Sequence, residues 1–296
     1  MFALDELDPA ELRPISFDPE AGTNVPDDIM LANVAVNIRR GLPQVQPYAA
    51  NGDIALLVCG GPSLAETEAD LIAAQWRGGK VVTVNGAYGW CIERNIKPTA
   101  TIVMDAREFN SRFVEQEVPG CKYLLASQCH PKTFEVCEGR DVMIWHTCSG
   151  GEAELELLSD YYFKRLHPVT LGTTVAIKAI QILRMLGFLR MEIFGFDSCW
   201  LDDRHHSYGQ AENDADQRIP VWLRLTKGDE HRDDRARQFV CAPWHVRQSE
   251  DFINLTKEHG KFLQLQVHGP GLIATMVRTG AQLAPSRDVA FPTEGD

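Results

Sequence analysis

From Asp53 onward this chain alternates short apolar runs with amphipathic stretches, and few folds accept that pattern. Strands are expected at Ile54–Cys59, Val81–Val84, Ala100–Met104, Tyr123–Ala126, Val142–Trp145, Met191–Phe194, Gln238–Cys241 and Phe262–Val267. Helices are expected between them at Leu64–Trp76, Gly86–Arg94, Glu108–Gln116, Pro131–Cys137, Glu152–Tyr162, Thr173–Leu186 and Trp244–His259. Strand–helix alternation specifies an α/β fold of Rossmann-like type, a doubly wound and mostly parallel sheet. In Thr173–Leu186 the polar residues Lys178, Gln181 and Arg184 share one narrow stripe, so that helix is expected to be covered over most of its surface.

Two segments depart from the rhythm. Residues 1–50 carry six prolines and one helix candidate, Ile29–Arg40. They read as an N-terminal extension that packs on the main domain or on a partner subunit, which would make a homo-oligomer. Residues 201–237 are dense in Asp, Arg, His and Asn and read as a polar insertion near the C-terminal third, used as a lid or binding loop. The domain itself is expected over 51–285, with 286–296 as a flexible tail.

Charge and cysteine content narrow the partners. A net charge of −12 argues against a nucleic-acid or anionic membrane surface. No apolar run approaches the roughly 20 residues that span a bilayer. The acidic start, Met1 to Asp8, is unlike a signal peptide, and the eight cysteines include no C-x-x-C pair. A cytoplasmic protein with free, buried thiols is the expectation, Cys59, Cys91, Cys121 and Cys241 among them.

In an open parallel sheet, ligands gather at the carboxyl ends of the strands. After the first strand come Gly60, Gly61, Pro62 and Ser63, a glycine turn opening a helix, with Glu66 completing a capping box on Ser63. Bare amides and the helix dipole there suit a phosphate. Asn85 and Gly86 follow the second strand and could meet a base, ribose or phosphate. Asp105 and Arg107 follow the third, a carboxylate for a hydroxyl or metal and a guanidinium for a phosphate. Gly172, Thr173 and Thr174 open the covered helix as a second anion cradle. Asp197 closes the Phe194–Asp197 strand end, and the adjacent His205 and His206 beyond it could serve as acid or base. In an extended segment those two rings would point to opposite sides.

Taken in order, Gly60-Gly61-Pro62-Ser63-Leu64, Val84-Asn85-Gly86, Met104-Asp105-Ala106-Arg107, Gly172-Thr173-Thr174-Val175 and Gly195-Phe196-Asp197-Ser198 resemble the 6-hydroxymethylpterin diphosphokinase family of the MptE type, which includes accessory proteins of flagellin glycosylation. The resemblance implies a Rossmann-like domain that transfers diphosphate from ATP to a hydroxymethyl acceptor with Mg²⁺. Gly60, Gly61 and Ser63 would then hold phosphates, Asp105 and Asp197 the Mg²⁺ or the acceptor, and Arg107 the developing charge. Tyr88, Trp90, Trp145 and Trp200 would be available to stack on a pterin. A more distant similarity is to bacterial sialyltransferases that use CMP-sialic acid, which implies a glycosyltransferase with a histidine base, nearest to His205 or His206. A third reading keeps the fold as a non-catalytic binding protein.

Overall fold

The computed structural model describes residues 25–148, 151–210, 216–224 and 236–279. Seven parallel strands form the central sheet: β1 (Asn51–Val58), β2 (Lys80–Val84), β3 (Ala100–Val103), β4 (Lys122–Ala126), β5 (Val142–Trp145), β6 (Phe188–Phe194) and, last in the chain, β9 (Gln264–Val267). Their order is β5-β4-β3-β2-β1-β6-β9. All six pairings are parallel, so every carboxyl end lies on one rim. The order reverses between β1 and β6, which is where an open sheet leaves a crevice.

Period-two alternation in β1 divides the core between the two faces. Ala55 and Leu57 join the larger cluster, together with Ile177 and Ile180 of α6 (Val175–Met185). Leu56 and Val58 join the smaller one, with Leu64 and Leu71 of α2 (Leu64–Trp76) and Trp90 of α3 (Ala87–Glu93). Helix α6 is covered as expected, and the polar stripe is covered with it: Lys178 and Gln181 are buried. Burial lowers the Lys178 pKa to about 8, while its ammonium donates to the Val169 carbonyl at 2.9 Å.

The described part of the N-terminal region is built into this body. Helix α1 (Asp27–Asn37) turns Met30, Asn33, Val34 and Asn37 inward. Asn33 donates to the carbonyls of Ala106 and Gln128, and Asn37 to those of Ser127 and Cys129, so two amides satisfy the loops after β3 and β4. Pro43 and Val45 then pair with Ile144 and cover the β5 edge. Helices α4 (Pro131–Val136) and α5 (Gly151–Tyr162) complete that flank.

Four expectations need correction. The segment expected as Glu108–Gln116 is a 3-10 helix ending at Val114. Strand β8 (Ala236–Cys241) is no part of the main sheet; it pairs antiparallel with β7 (Ile219–Arg224). Strand β7 lies inside the segment 201–237, expected as a lid or binding loop. This hairpin is held by its own apolar cluster: Val221, Leu223, Phe239 and Cys241 pack on Val246 of α7 (Pro243–His259) and on Leu272 and Met276 of α8 (Leu272–Thr279). Helix α8 had no expected counterpart, because its eight residues follow a Gly-Pro-Gly turn that reads as an end. Finally, the capping box is not formed: Ser63 makes no side-chain cap.

Among the described residues no helix is long and apolar enough to cross a membrane. All eight cysteines are free, and seven are buried. The tail at 286–296 and the first 24 residues lie outside the described residues.

Candidate functional site

At the reversal point the tips of β1, β2 and β6 surround a cleft of about 130 Å³ that opens to solvent. Of the residues expected from sequence, Gly60, Gly61, Asn85, Thr174, Asp197, His205 and His206 line it together. Pro62, Ser63, Gly86, Asp105, Arg107, Gly172 and Thr173 are not on its wall.

The glycine turn does not offer the free cradle expected of it. The Gly61 amide donates to the Gly195 carbonyl at 2.8 Å, and the Ser63 amide donates to Oδ2 of Asp197 at 2.9 Å. The helix start therefore already holds an anion, the protein's own carboxylate. Asp197 is 2% exposed, and its Oδ1 has no hydrogen-bond partner. Burial raises its pKa to about 6, with the Ser63 amide pulling the other way. Asp197 thus ties β6 to the β1 turn, and its backbone carbonyl accepts the Leu272 amide at the start of α8.

The outer side of the same turn is covered by residues 205–208. Ser207 donates its amide to the Gly60 carbonyl at 2.9 Å and its hydroxyl to the Gly61 carbonyl at 2.8 Å. A Cβ at position 60 would collide with the Tyr208 hydroxyl and the His206 ring as they now stand. The Tyr208 ring also lies against Gly86, which accounts for that glycine without a ligand.

His205 and His206 do not point apart. Asp202 and Asp203 take left-handed conformations (φ 47° and 61°), and Leu201 pairs back to Arg204, so the segment is bent rather than extended. The two Nδ1 atoms share a hydrogen bond, and the rings meet edge to face at 4.8 Å. One ring must donate and the other accept. The donating ring then keeps its lone pair at Nε2, which is a base.

Sequence reasoning missed a third histidine. His245, in the first turn of α7, lines the cleft and is 2% exposed. Its Nδ1 accepts the Ala242 amide at 3.0 Å, so the neutral ring carries its proton on Nε2. Burial, then His206 and His205, hold its pKa down to about 3, and it stays a neutral donor. Tyr208, Trp244 and Gln248 were also missed as lining residues. The only signal for His245 was a histidine soon after a proline at a helix start.

The start of α6 is open where that of α2 is not. Thr174 stands at its N-cap in extended conformation with no side-chain cap, and Val175 and Ala176 behind it line the cleft. The Thr174 hydroxyl instead accepts from Gln248, whose carbonyl oxygen accepts from Ser198. Thr173 is used elsewhere, giving its amide and hydroxyl to Asp251 at 2.8 Å each. Gly172 serves packing rather than ligand approach: it has φ 78°, and a Cβ there would strike Ile177. Asn85 lines the cleft and accepts the Met104 amide through Oδ1 at 3.3 Å, so what its side chain has left to offer is its N–H groups.

Asp105 and Arg107 lie on the same rim but away from the cleft. Arg107 forks onto the Asp105 carboxylate through Nε and Nη2 at 3.0 and 2.7 Å, an internal pair. Among the described residues no group of three or more His, Cys, Asp or Glu could hold a metal ion. With Asp105 engaged by Arg107 and Asp197 by Ser63, the donor set does not fit the Mg²⁺ expected at these two carboxylates. Nor do the expected stacking rings line the cleft. Tyr88, Trp90 and Trp145 are fully buried core residues, and Trp200 is buried under the Arg218 guanidinium.

The family described as 6-hydroxymethylpterin diphosphokinase MptE-like matches residues 29–203. No curated protein matches the chain. A similar solved structure is that of the MAf glycosyltransferase from Magnetospirillum magneticum AMB-1, with a TM-score of 0.62 at 15% identity. The match covers 85% of this chain and 38% of that one, so this chain spans well under half of the neighbour's length. At that identity the likeness is one of fold.

Proposed function

The chain belongs to the MptE-like family, and we propose that within it this protein is a transferase that moves a sugar from a nucleoside monophosphate, CMP by the sialyltransferase resemblance, to a hydroxyl acceptor. One observation carries the choice over diphosphate transfer from ATP. Of the two helix starts expected to grip phosphates, α2 is filled by Asp197, and only α6 opens into the cleft. One phosphate site suits a nucleoside monophosphate leaving group better than a triphosphate, and the carboxylates expected to hold Mg²⁺ are engaged elsewhere. The fold shared with a glycosyltransferase is consistent with this reading.

In this reaction the bond from the anomeric carbon to the phosphate oxygen breaks, and the electron pair leaves on the nucleotide. The acceptor oxygen bonds to that carbon, and its proton passes to Nε2 of the donating ring of the His205–His206 pair. The Val175 and Ala176 amides stabilise the leaving phosphate. The neutral His245 donates from Nε2 to an oxygen of the bound substrate. Asn85 donates to the sugar or base of the nucleotide.

The test pairs calorimetry with turnover. CMP should bind and ATP–Mg²⁺ should not, and sugar transfer from a CMP-linked donor should fall at least about a hundredfold in the His205→Ala, His206→Ala double variant. Diphosphate transfer from ATP, or full sugar transfer by the double variant, would overturn the reading.

A further inference from the structure

Helix α1 is apolar on both sides. Its sequence, Asp-Asp-Ile-Met-Leu-Ala-Asn-Val-Ala-Val-Asn, has charge only at its start, and two arginines follow it at 39 and 40. The inward side is accounted for by Met30, Asn33, Val34 and Asn37. The outward side carries Asp28, Ile29, Ala32, Val36 and Arg39, all exposed, with Ile29 at 46% and Val36 at 47%. Four of them lie in α1 and Arg39 in the 3-10 turn that follows it (Ile38–Arg40); at about 100° per residue in the helix and about 120° in the turn, all five fall on one face about 100° wide. A helix that is apolar all round is normally covered all round.

The order of residues along that face indicates what covers it. An acid stands at one end, a base at the other, and a small residue near the middle. The face is complementary to itself when two copies run antiparallel. Asp28 of one copy then meets Arg39 of the other at both ends, about 16 Å apart along the axis by the helical rise. Ala32, near the two-fold axis, lets the helices approach closely, and Ile29 and Val36 pack on either side. This is an isologous contact, the commonest way two identical chains associate. A parallel arrangement would set Asp28 against Asp28 and Arg39 against Arg39. We propose that this protein forms a two-fold symmetric homodimer through the outer face of α1, with Asp28 and Arg39 pairing across it. The neighbouring helix α5 also exposes Leu155 and Tyr161.

The proposal does not depend on the reaction assigned above, because its readout is association state. Sedimentation of the full chain between about 1 and 100 µM should show a reversible monomer–dimer equilibrium, since one helix face makes a small interface. Val36→Glu should weaken it at least about tenfold. Asp28→Arg and Arg39→Asp should each weaken it severalfold, and the doubly swapped variant should recover it. Thermal melts of the same variants report whether each is folded, as expected for exposed positions. A monomer at every concentration, as when the chain's own first 24 residues cover the face, would overturn the proposal. So would a dimer indifferent to Val36→Glu, or a swap that does not recover association.

Discussion

Asp197 lies where two effects compete, and the competition has a measurable size. The start of α2 and the Ser63 amide favour the carboxylate, whereas burial favours the neutral acid. Burial wins: the pKa rises from 3.8 to about 6. The folded protein therefore binds more protons than the unfolded chain between those values. The contribution from this group is full below pH 3.8, declines as pH rises, and is lost above about 6. At 1.36 kcal/mol per pKa unit the whole effect is about 3 kcal/mol. Asp197→Asn keeps an oxygen for the Ser63 amide and cannot ionise. Its absolute stability also depends on two new N–H groups placed where Oδ1 has no partner. The pH dependence of the difference is free of that constant. Urea denaturation of both proteins from pH 4 to pH 8 should show the variant gaining about 2.4 kcal/mol on the native protein, nearly all of it below pH 7. A difference that is flat with pH would refute the argument that this carboxyl is desolvated, and a variant that loses ground as pH rises would show the amide and dipole winning.

Gly172 and the buried Lys178 give two further outcomes. Gly172→Ala should cost about 2–4 kcal/mol, from a left-handed backbone position and an overpacked Ile177, and a change below 1 kcal/mol in a denaturation curve would show that the turn relaxes. Lys178→Met removes an ammonium whose pKa burial lowers from 10.5 to about 8; the native protein's penalty is full below pH 8 and is relieved as pH rises toward 10.5, so the variant's relative stability should fall over that interval, and a constant difference would refute it.

The sheet was legible because its strands are continuous apolar runs that bury both faces, as Ala55–Val58 do. The rim was legible for the same reason, since polar residues stand out where such runs stop. What the chain does with those residues was not. Ser63 and Asp197 are 134 positions apart, and nothing local tells a free helix start from one filled by a distant side chain. Asp105 and Arg107 looked like ligand groups, yet a spacing of two lets them satisfy each other. The hairpin escaped because Val221 and Leu223 are diluted by polar neighbours and bury only against α7 and α8. The bend that turns His205 onto His206 depends on two aspartates in left-handed conformations, which sequence permits but does not announce.

The central claim is that α6 receives the ligand's phosphate because its first amides are uncapped. Thr174→Asp tests it by giving the helix an anion of its own, as Asp197 does for α2. An aspartate N-cap should leave the melting temperature unchanged or raise stability by about 0.5–2 kcal/mol. In a calorimetric titration with CMP, the native protein should bind, and the folded Thr174→Asp variant should bind at least about tenfold more weakly. Equal affinity in the two proteins, or no binding of CMP by the native one, would contradict the account.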